Sequence, residues 1–527
     1  MHEFLATYKL HYSIHSNFMQ QESGKEYDFV IIGSGLGGLA CAYILASEGH
    51  SVIVLEKNHQ IGGHLQVYSR DKTIFDTGVH YVGSMDEGEN LHQFFKYFGI
   101  LDKMKLKRLD DEKFDVIRFD DGSEYFYGQG YDQFKKNLIE YFPDEQNAIE
   151  TYCNKIKETC KKFPLYNLES SGENYQMDSS IMELNAYDYI ASITENERLR
   201  NVLAGSNQLY AGEKEMTPFF VHALIMNSYL SGAYKFIDGG SQIAIQLSRG
   251  IRSFGGKILK HKKVISAEFN EAGEISGVVL ENGEIFRGKQ YISNVHPAVT
   301  IEIFGEQRFL QVYRNRIKNL KNSISTFLVH LSFHENTFEY LNHNIYQHHT
   351  EDVWGGIEYD PETWPQTYFI CTPFISKNEK YADSMSIMTY MNSAETQQWS
   401  ETHHTVAEPG QRGESYEKFK KEKEAQVLKR IEQVFPGISE KIKSIHSASP
   451  LTFRDYIGNK DGSLYGVMKN SASPTRTQIN TKTRISNLHL TGQNISMHGI
   501  LGVVVSAFVT CFSFVEKDKL IQKVKNA

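Results

Sequence analysis

The stretch from Tyr27 to Gly63 constrains the fold more than any other part of this 527-residue chain. A β-branched apolar run, Tyr27 to Ile32, leads into Gly33-Ser34-Gly35-Leu36-Gly37-Gly38. An alanine-rich segment with Leu39, Tyr43 and Ala46 at helical spacing follows, and a second apolar run, Ser51 to Leu55, ends on Glu56. A bare G-x-G-x-x-G is a weak signal, but a strand before it and a helix after it supply the context that gives it meaning. Gly33 permits a tight turn, Gly35 lets the backbone approach a pyrophosphate, and Gly38 lets helix and strand pack closely. The start of the helix offers free N–H groups and the positive end of its dipole to the phosphates. Glu56 can accept two hydrogen bonds from ribose hydroxyls, each worth about 1.5–3 kcal/mol. The pattern predicts a dinucleotide site.

A second glycine pair follows at once, in Lys57 to His64 with Gly62-Gly63 before the histidine. It would be surplus in a simple nicotinamide fold and points to a backbone approach beneath the ribityl or flavin end of a larger cofactor. Polar groups interrupt the next apolar segment, Phe75 to Gly83, as in a bend of the core or the floor of a site. Near the far end of the chain, Leu488 to Val505 again reads as strand, glycine turn and apolar helix. The run from Ile500 to Val515 falls below the roughly 20 residues needed to cross a bilayer. A buried helix with its N-terminus aimed at a cofactor fits better.

The length calls for two domains, or a large one with insertions. A hydrophobic content of 40% and a charged content of 23% are those of a soluble globular protein. A net charge of −8 and the lack of a basic stripe argue against nucleic acid. The N-terminus shows no basic region followed by an apolar core, so no signal peptide is read. The five cysteines form no C-x-x-C. Cys153 and Cys160 sit about 10 Å apart on a helix, too far for a disulfide, which suits a reducing compartment. The pairs His348-His349 and His403-His404 read as solvated loop histidines, not metal ligands, because adjacent residues do not share a face.

The expected fold class is α/β: a discontinuous Rossmann-type FAD-binding domain with a mixed α+β substrate domain. Residues 25–100, 231–300 and 480–527 are assigned to the first, 101–230 and 301–479 to the second, and 1–24 to an N-terminal extension. Val116 to Tyr127 reads as a hairpin turning at Asp121-Gly122. Pro143 to Phe163 reads as a helix, and Pro218 to Met226 as a buried one with His222 a satisfied core histidine. Glu395 to Gly413 reads as a surface loop, followed by a charged helix stopped at Pro436-Gly437.

Several of these stretches carry a resemblance: Phe75 to Gly83, Pro218 with His222-Ala223, Gly239-Gly240-Ser241, Ser463 to Gly466, and Leu490 to Gln493. Together they resemble the flavin-dependent phytoene desaturase and carotenoid isomerase superfamily, most closely its retinol saturase branch. The resemblance implies non-covalent FAD, a two-domain fold, and an apolar tunnel leading a polyene or isoprenoid to the flavin. Carried over, Gly33, Gly35 and Gly38 hold the pyrophosphate, Ser34, Leu36 and Gly37 between them also bind the cofactor, and Glu56 holds the ribose. Lys57, Gly62, Gly63 and His64 border the cofactor, Val264 meets the adenine side, and Gly492-Gln493 approaches the flavin. Asn494 stands where the resemblance leads one to expect an acid on the ribityl chain. His80, Tyr81, Tyr456 and Tyr465 are the candidates to line the site or donate the proton.

The leading expectation is an FAD-dependent saturase of polyene lipids, with a carotenoid desaturase or isomerase as the alternative. Amine oxidation is disfavoured by Gly492-Gln493-Asn494, where those enzymes typically place Glu after the glycine. A prenyl-lipid escort protein that has lost its cofactor is the non-enzyme alternative, and the intact Gly33 to Gly38 motif argues against it. An external electron donor such as NAD(P)H is not readable from a single nucleotide motif, nor is the oligomeric state. The expected location is cytoplasmic, or peripheral at the inner face of a membrane.

Overall fold

A computed structural model describes residues 24–170, 179–406 and 408–527. The reading of the N-terminus, and all but the last residue of the extension assigned to 1–24, lie outside the described residues.

The glycine-rich stretch folds as β1 (Glu26–Ile32), α1 (Leu36–Ser47) and β2 (Val52–Leu55). Both strands are β-branched and almost wholly buried, as expected of parallel strands covered on both faces. On one side β1 pairs parallel with β2, which pairs parallel with Lys257–Leu259. On the other it pairs parallel with Ile285–Ser293, which in turn holds Leu488–Leu490. An antiparallel extension, Val264–Phe269 and Ile275–Leu280, completes this seven-stranded sheet. The strands thus come from the beginning, middle and end of the chain. Helix α1 is apolar all round because its other side packs on Gln242–Ser253 and on α2 (Gly499–Cys511), the helix that follows the last glycine turn.

A second seven-stranded sheet runs Ile442–Ala448, Ser325–Phe333, Ser384–Met391, Thr367–Cys371, Asn344–His348, Asp115–Phe119 and Glu124–Tyr127. It is antiparallel except where Asn344–His348 meets Asp115–Phe119. The last two strands are the expected hairpin, with Gly122 at φ +82° in its turn. One apolar core runs without a break from α1 and α2 to Ile117, Tyr346 and Phe369 on this second sheet. A two-stranded ribbon, Leu106–Arg108 with Tyr234–Phe236, crosses the boundary drawn at residue 230. Among the described residues no helix is long and apolar enough to cross a membrane.

Two readings of local structure are corrected. His348 is no loop residue: it is fully buried in a strand, where Nε2 donates to the Gly205 carbonyl at 2.8 Å. His349 next to it is nearly buried too, with Tyr368 Oη 2.9 Å from its Nε2. His403 and His404 are exposed, and His403 bridges Glu408 at 3.0 Å and Asp455 at 3.2 Å. Glu395 to Gly413 is not wholly a surface loop, because it begins in a helical turn that buries Thr396 and Trp399, the latter against Tyr416 and Phe419. His222 is a core histidine as read, held between the Tyr152 and Tyr210 hydroxyls at 2.7 and 2.8 Å.

Candidate active site

A cavity of about 410 Å³ opens at the carboxyl ends of the parallel strands, the place where such sheets bind ligands. There the strand ends are tied together. Asn294 N donates to Ile32 O at 2.9 Å, and Thr491 N donates to Ser293 O at 3.0 Å. The three glycine turns converge on this point. A Cβ on Gly37 would lie 2.9 Å from Gly492 Cα, and one on Gly63 would lie 3.2 Å from Gly35 Cα. No other residue leaves backbone surfaces this close, and the result is a cradle of N–H groups at the start of α1. Gly492, some 450 positions from Gly37 in the chain, therefore borders the same crevice.

Asn294 stands inside the cradle. With its amide oxygen toward the first turn it accepts from Gly35 N and Gly38 N, each at 3.3 Å. Glu56 is 5% exposed and already committed: its Oε2 accepts from Ser34 N at 2.9 Å and Ser34 Oγ at 2.5 Å, and Oε1 accepts from Asn58 N at 2.8 Å. A carboxylate has about four acceptor positions. One remains for a ribose hydroxyl, not the two expected from sequence. Ser34 and Gly38 stand behind the cavity wall, Ser34 orienting Glu56 and Gly38 packed on the Gly33 carbonyl.

The remaining cofactor candidates, Gly33, Gly35, Leu36, Gly37, Glu56, Lys57, Gly62, Gly63, His64, Val264, Gly492, Gln493 and Asn494, all line the cavity. Lys57 Nζ donates to Asp455 O at 2.9 Å, and burial lowers its pKa. Asn494, expected as a weakened ribityl contact, has a structural task as well. Its Oδ1 accepts from Val467 N at 2.9 Å, and a Cβ on Gly466 would come within 2.1 Å of it.

The four candidates for chemistry all line the cavity but divide between its ends. Tyr456 belongs to the Glu56 end: its carbonyl accepts from Asn58 Nδ2 at 2.8 Å and its hydroxyl from Val406 N at 3.0 Å. Tyr465 stacks on His498 at 4.4 Å and donates to Gln208 O at 2.9 Å. His80 is enclosed with both ring nitrogens unpartnered, and burial lowers its pKa to about 4. It is therefore a neutral imidazole near pH 7 and no reservoir of an acidic proton. Tyr81 stacks on Phe369 at 5.8 Å, packs on Tyr229 at 4.4 Å, and meets the Tyr346 hydroxyl at 2.6 Å.

The far end of the cavity is thus an aromatic chamber of Tyr81, Tyr229, Tyr346, Phe369, Met388 and Leu464, capped by the first turn of α2. Among the described residues, the lysine and carboxylate side chains lining the cavity are Glu56, Lys57, Lys262 and Lys263, all at the nucleotide end. Sequence reasoning missed Asn294, Tyr229, Tyr346 and Phe369. Asn294 carried the one available signal, a polar residue ending an apolar strand.

This geometry tests the cofactor directly. The cradle suits a pyrophosphate, one acceptor position of Glu56 is left for a ribose hydroxyl, and His64 Nε2 and both His80 ring nitrogens, in residues that line the same cavity, have no partner among the described residues. Such a crevice defines a dinucleotide-binding oxidoreductase. The chain belongs to the flavin-containing amine oxidoreductase family, whose model matches residues 36–509. Its cofactor is FAD. The chain is 27% identical to all-trans-retinol 13,14-reductase of Rattus norvegicus, over 94% of this chain and 86% of that one. It is 25% identical to prolycopene isomerase 1 of an Oncidium hybrid cultivar, over 95% and 86% respectively. Among solved structures, a putrescine oxidase variant superposes with a TM-score of 0.62 at 13% identity, covering 94% of this chain and 99% of that one, a likeness of fold.

Proposed function

We propose that this protein uses FAD to reduce a C=C bond of a polyene or isoprenoid lipid, as a retinol-saturase-like enzyme. The observation that carries this reading is the division of the cavity: its lysines and carboxylates stand at the nucleotide end, and the chamber beyond is aromatic and aliphatic. A cationic amine would find no carboxylate among the described residues of that chamber, whereas a conjugated hydrocarbon would find ring faces and excluded water. The names of the rat and Oncidium relatives support the same substrate class.

In this reading Gly35, Gly37, Gly63 and Gly492 hold the cofactor by backbone approach, Glu56 holds the ribose, and Gln493 borders the flavin end. Bound FAD, once reduced, supplies a hydride to one carbon of the double bond. The chain must hold that bond in place, exclude water and deliver a proton to the other carbon. Tyr81, Tyr229 and Phe369 provide the flat walls.

The test is anaerobic reduction of the flavin, followed by a panel of polyenes and mass measurement of the products. A gain of two hydrogens is expected. Unchanged mass with altered double-bond geometry would instead establish the isomerase reading, which the Oncidium relative favours, and loss of two hydrogens to oxidised flavin a desaturase. A substrate of this class resides in membranes, so loading from liposomes is part of the proposal. Flotation that leaves all protein in the soluble fraction would argue against it.

A further inference from the structure

We propose that Asp115, Tyr81 and Tyr346 form a proton chain that ends in the aromatic chamber and supplies the proton for C=C reduction, with the Tyr346 hydroxyl as the end that meets substrate. The proposal rests on the reductase reading above.

Strand pairing builds the chain. Asp115 opens the strand Asp115–Phe119 and is paired in parallel register with Asn344, and Tyr346 lies two residues on from Asn344, on the same strand face. Asn344 Nδ2 donates to Asp115 Oδ1 at 2.9 Å. The Tyr81 hydroxyl bridges the rest, 2.9 Å from Asp115 Oδ2 and 2.6 Å from the Tyr346 hydroxyl. Asp115 is 1% exposed and does not line the cavity, whereas both tyrosines do. A carboxyl is thus connected to the chamber through two hydroxyls.

The direction of the chain follows from the state of Asp115. When it is ionised it accepts from Tyr81, and Tyr81 accepts from Tyr346, so every proton points inward. When it is protonated it donates to Tyr81, Tyr81 donates to Tyr346, and the Tyr346 proton is turned to the chamber. In reduction, the hydride supplied by reduced flavin forms one C–H bond as the π bond breaks, and the Tyr346 proton forms the other. Tyr346 then takes the Tyr81 proton, Tyr81 takes the Asp115 proton, and the carboxylate left behind is reprotonated through the same two hydroxyls from water that enters the chamber as product leaves. The charged and titratable groups around Asp115 are Lys235, fixed on the Leu341 and Thr372 carbonyls at 3.0 and 3.1 Å, and the Tyr81, Tyr127, Tyr229 and Tyr346 hydroxyls. Burial raises the carboxyl from 3.8 to about 7, while Asn344, Tyr81 and Lys235 pull it back. Both forms are therefore populated near neutrality.

The FAD-loaded full chain provides two tests. In the resting oxidised enzyme, without turnover, isotope-edited infrared spectra should show protonated carboxyl absorption at pH 5 that fades as pH passes about 7, and Asp115→Asn should remove one carboxyl's share of it and leave that of Asp76. The folded pKa lies above the unfolded value, so this group makes the melting temperature fall as pH rises between 3.8 and about 7. Asp115→Asn should make that fall shallower, leaving the part due to buried Asp76, also raised to about 7.

In turnover, Asp115→Asn and Tyr346→Phe should keep FAD and KM but lose at least ~100-fold in kcat. The wild-type kcat should decline through about pH 7, the decline should vanish in Asp115→Asn, and Asp115→Glu should restore part of both. A merely structural Asp115 would change melting without moving the pH profile. Equal kcat and profile in wild type and Asp115→Asn, or titrating carboxyl absorption that Asp115→Asn leaves undiminished, overturns the chain alone. A wild type that reduces no polyene overturns the reductase reading and the chain with it.

Discussion

The two ends of the cavity are built by different means. At the nucleotide end the backbone makes the site: three glycine turns press together, and Asn294 and Glu56 are spent largely on backbone N–H groups. At the chamber end side chains make it, with rings 4.4–5.8 Å apart and hydroxyls linked to one another. A backbone site has no slack, because one added methyl meets main chain on the other side. A side-chain site can lose a whole ring and relax around the gap. Binding of FAD and chemistry on the substrate should therefore fail independently when each end is mutated.

The largest effect should come from the smallest change. Gly38→Ala places a Cβ 2.1 Å from the Gly33 carbonyl oxygen, in a turn where Gly33 itself has φ +92°. The neighbour is backbone and cannot rotate away, so the penalty should exceed the roughly 1–3 kcal/mol of ordinary overpacking. Little folded protein is expected, and what folds should be colourless; a yellow Gly38→Ala protein with wild-type melting would break the contrast. Next comes Phe369→Ala, which removes a ring 2% exposed that packs on Tyr81, Tyr346 and His80. It should cost about 3–5 kcal/mol in denaturant unfolding. The flavin absorbance per folded molecule should nevertheless stay at the wild-type level.

The same contrast decides what could be read from sequence. Gly33, Gly35, Gly37 and Gly492 were legible because only glycine fits there, Gly33 and Gly492 at φ +92° and +100° and Gly35 and Gly37 where a Cβ would come within 2.8 Å of Asn294, so the residue type itself carries the geometry. The parallel sheet was legible for a related reason, its strands being apolar runs set off by those glycines. The chamber was not. Tyr346 is one of 30 tyrosines, and nothing local separates a ring that walls a site from one that fills a core. Asp115 precedes an apolar run and looks like the polar edge of a strand, because its partners Tyr81 and Asn344 are distant in sequence. His348 was misread since adjacent polar residues suggest a loop. In fact it belongs to a buried strand, where Gly205 and Thr367 supply the partners that let a histidine be enclosed. Which end of the cavity Tyr456 borders was hidden because sequence separates it from Asn58 by almost 400 positions, while the fold joins them by a hydrogen bond.

Glu56→Gln sharpens the comparison within the nucleotide end. The carboxylate accepts from Ser34 N, Ser34 Oγ and Asn58 N. An amide turns one acceptor into a donor facing an N–H, leaving buried groups unpaired at a cost of about 1–3 kcal/mol. Both the melting temperature of the FAD-free protein and FAD affinity should fall, the latter by roughly tenfold to a hundredfold. A loss of affinity with unchanged melting would mean that Glu56 serves the ribose alone and that the contacts with Ser34 and Asn58 contribute nothing.

The smallest effect is expected of Tyr456→Phe, which asks whether Tyr456 belongs to chemistry or to the nucleotide end. The substitution removes the hydroxyl that accepts from Val406 N and leaves the carbonyl that accepts from Asn58. Val406 is 60% exposed, so water can replace the lost partner and the change should cost no more than about 1 kcal/mol. FAD affinity should weaken by less than about tenfold, with kcat, its pH profile and the product mass unchanged. A Tyr456→Phe enzyme that kept its FAD and lost its turnover would place a proton donor at the Glu56 end, and would remove the chamber from the site of reaction.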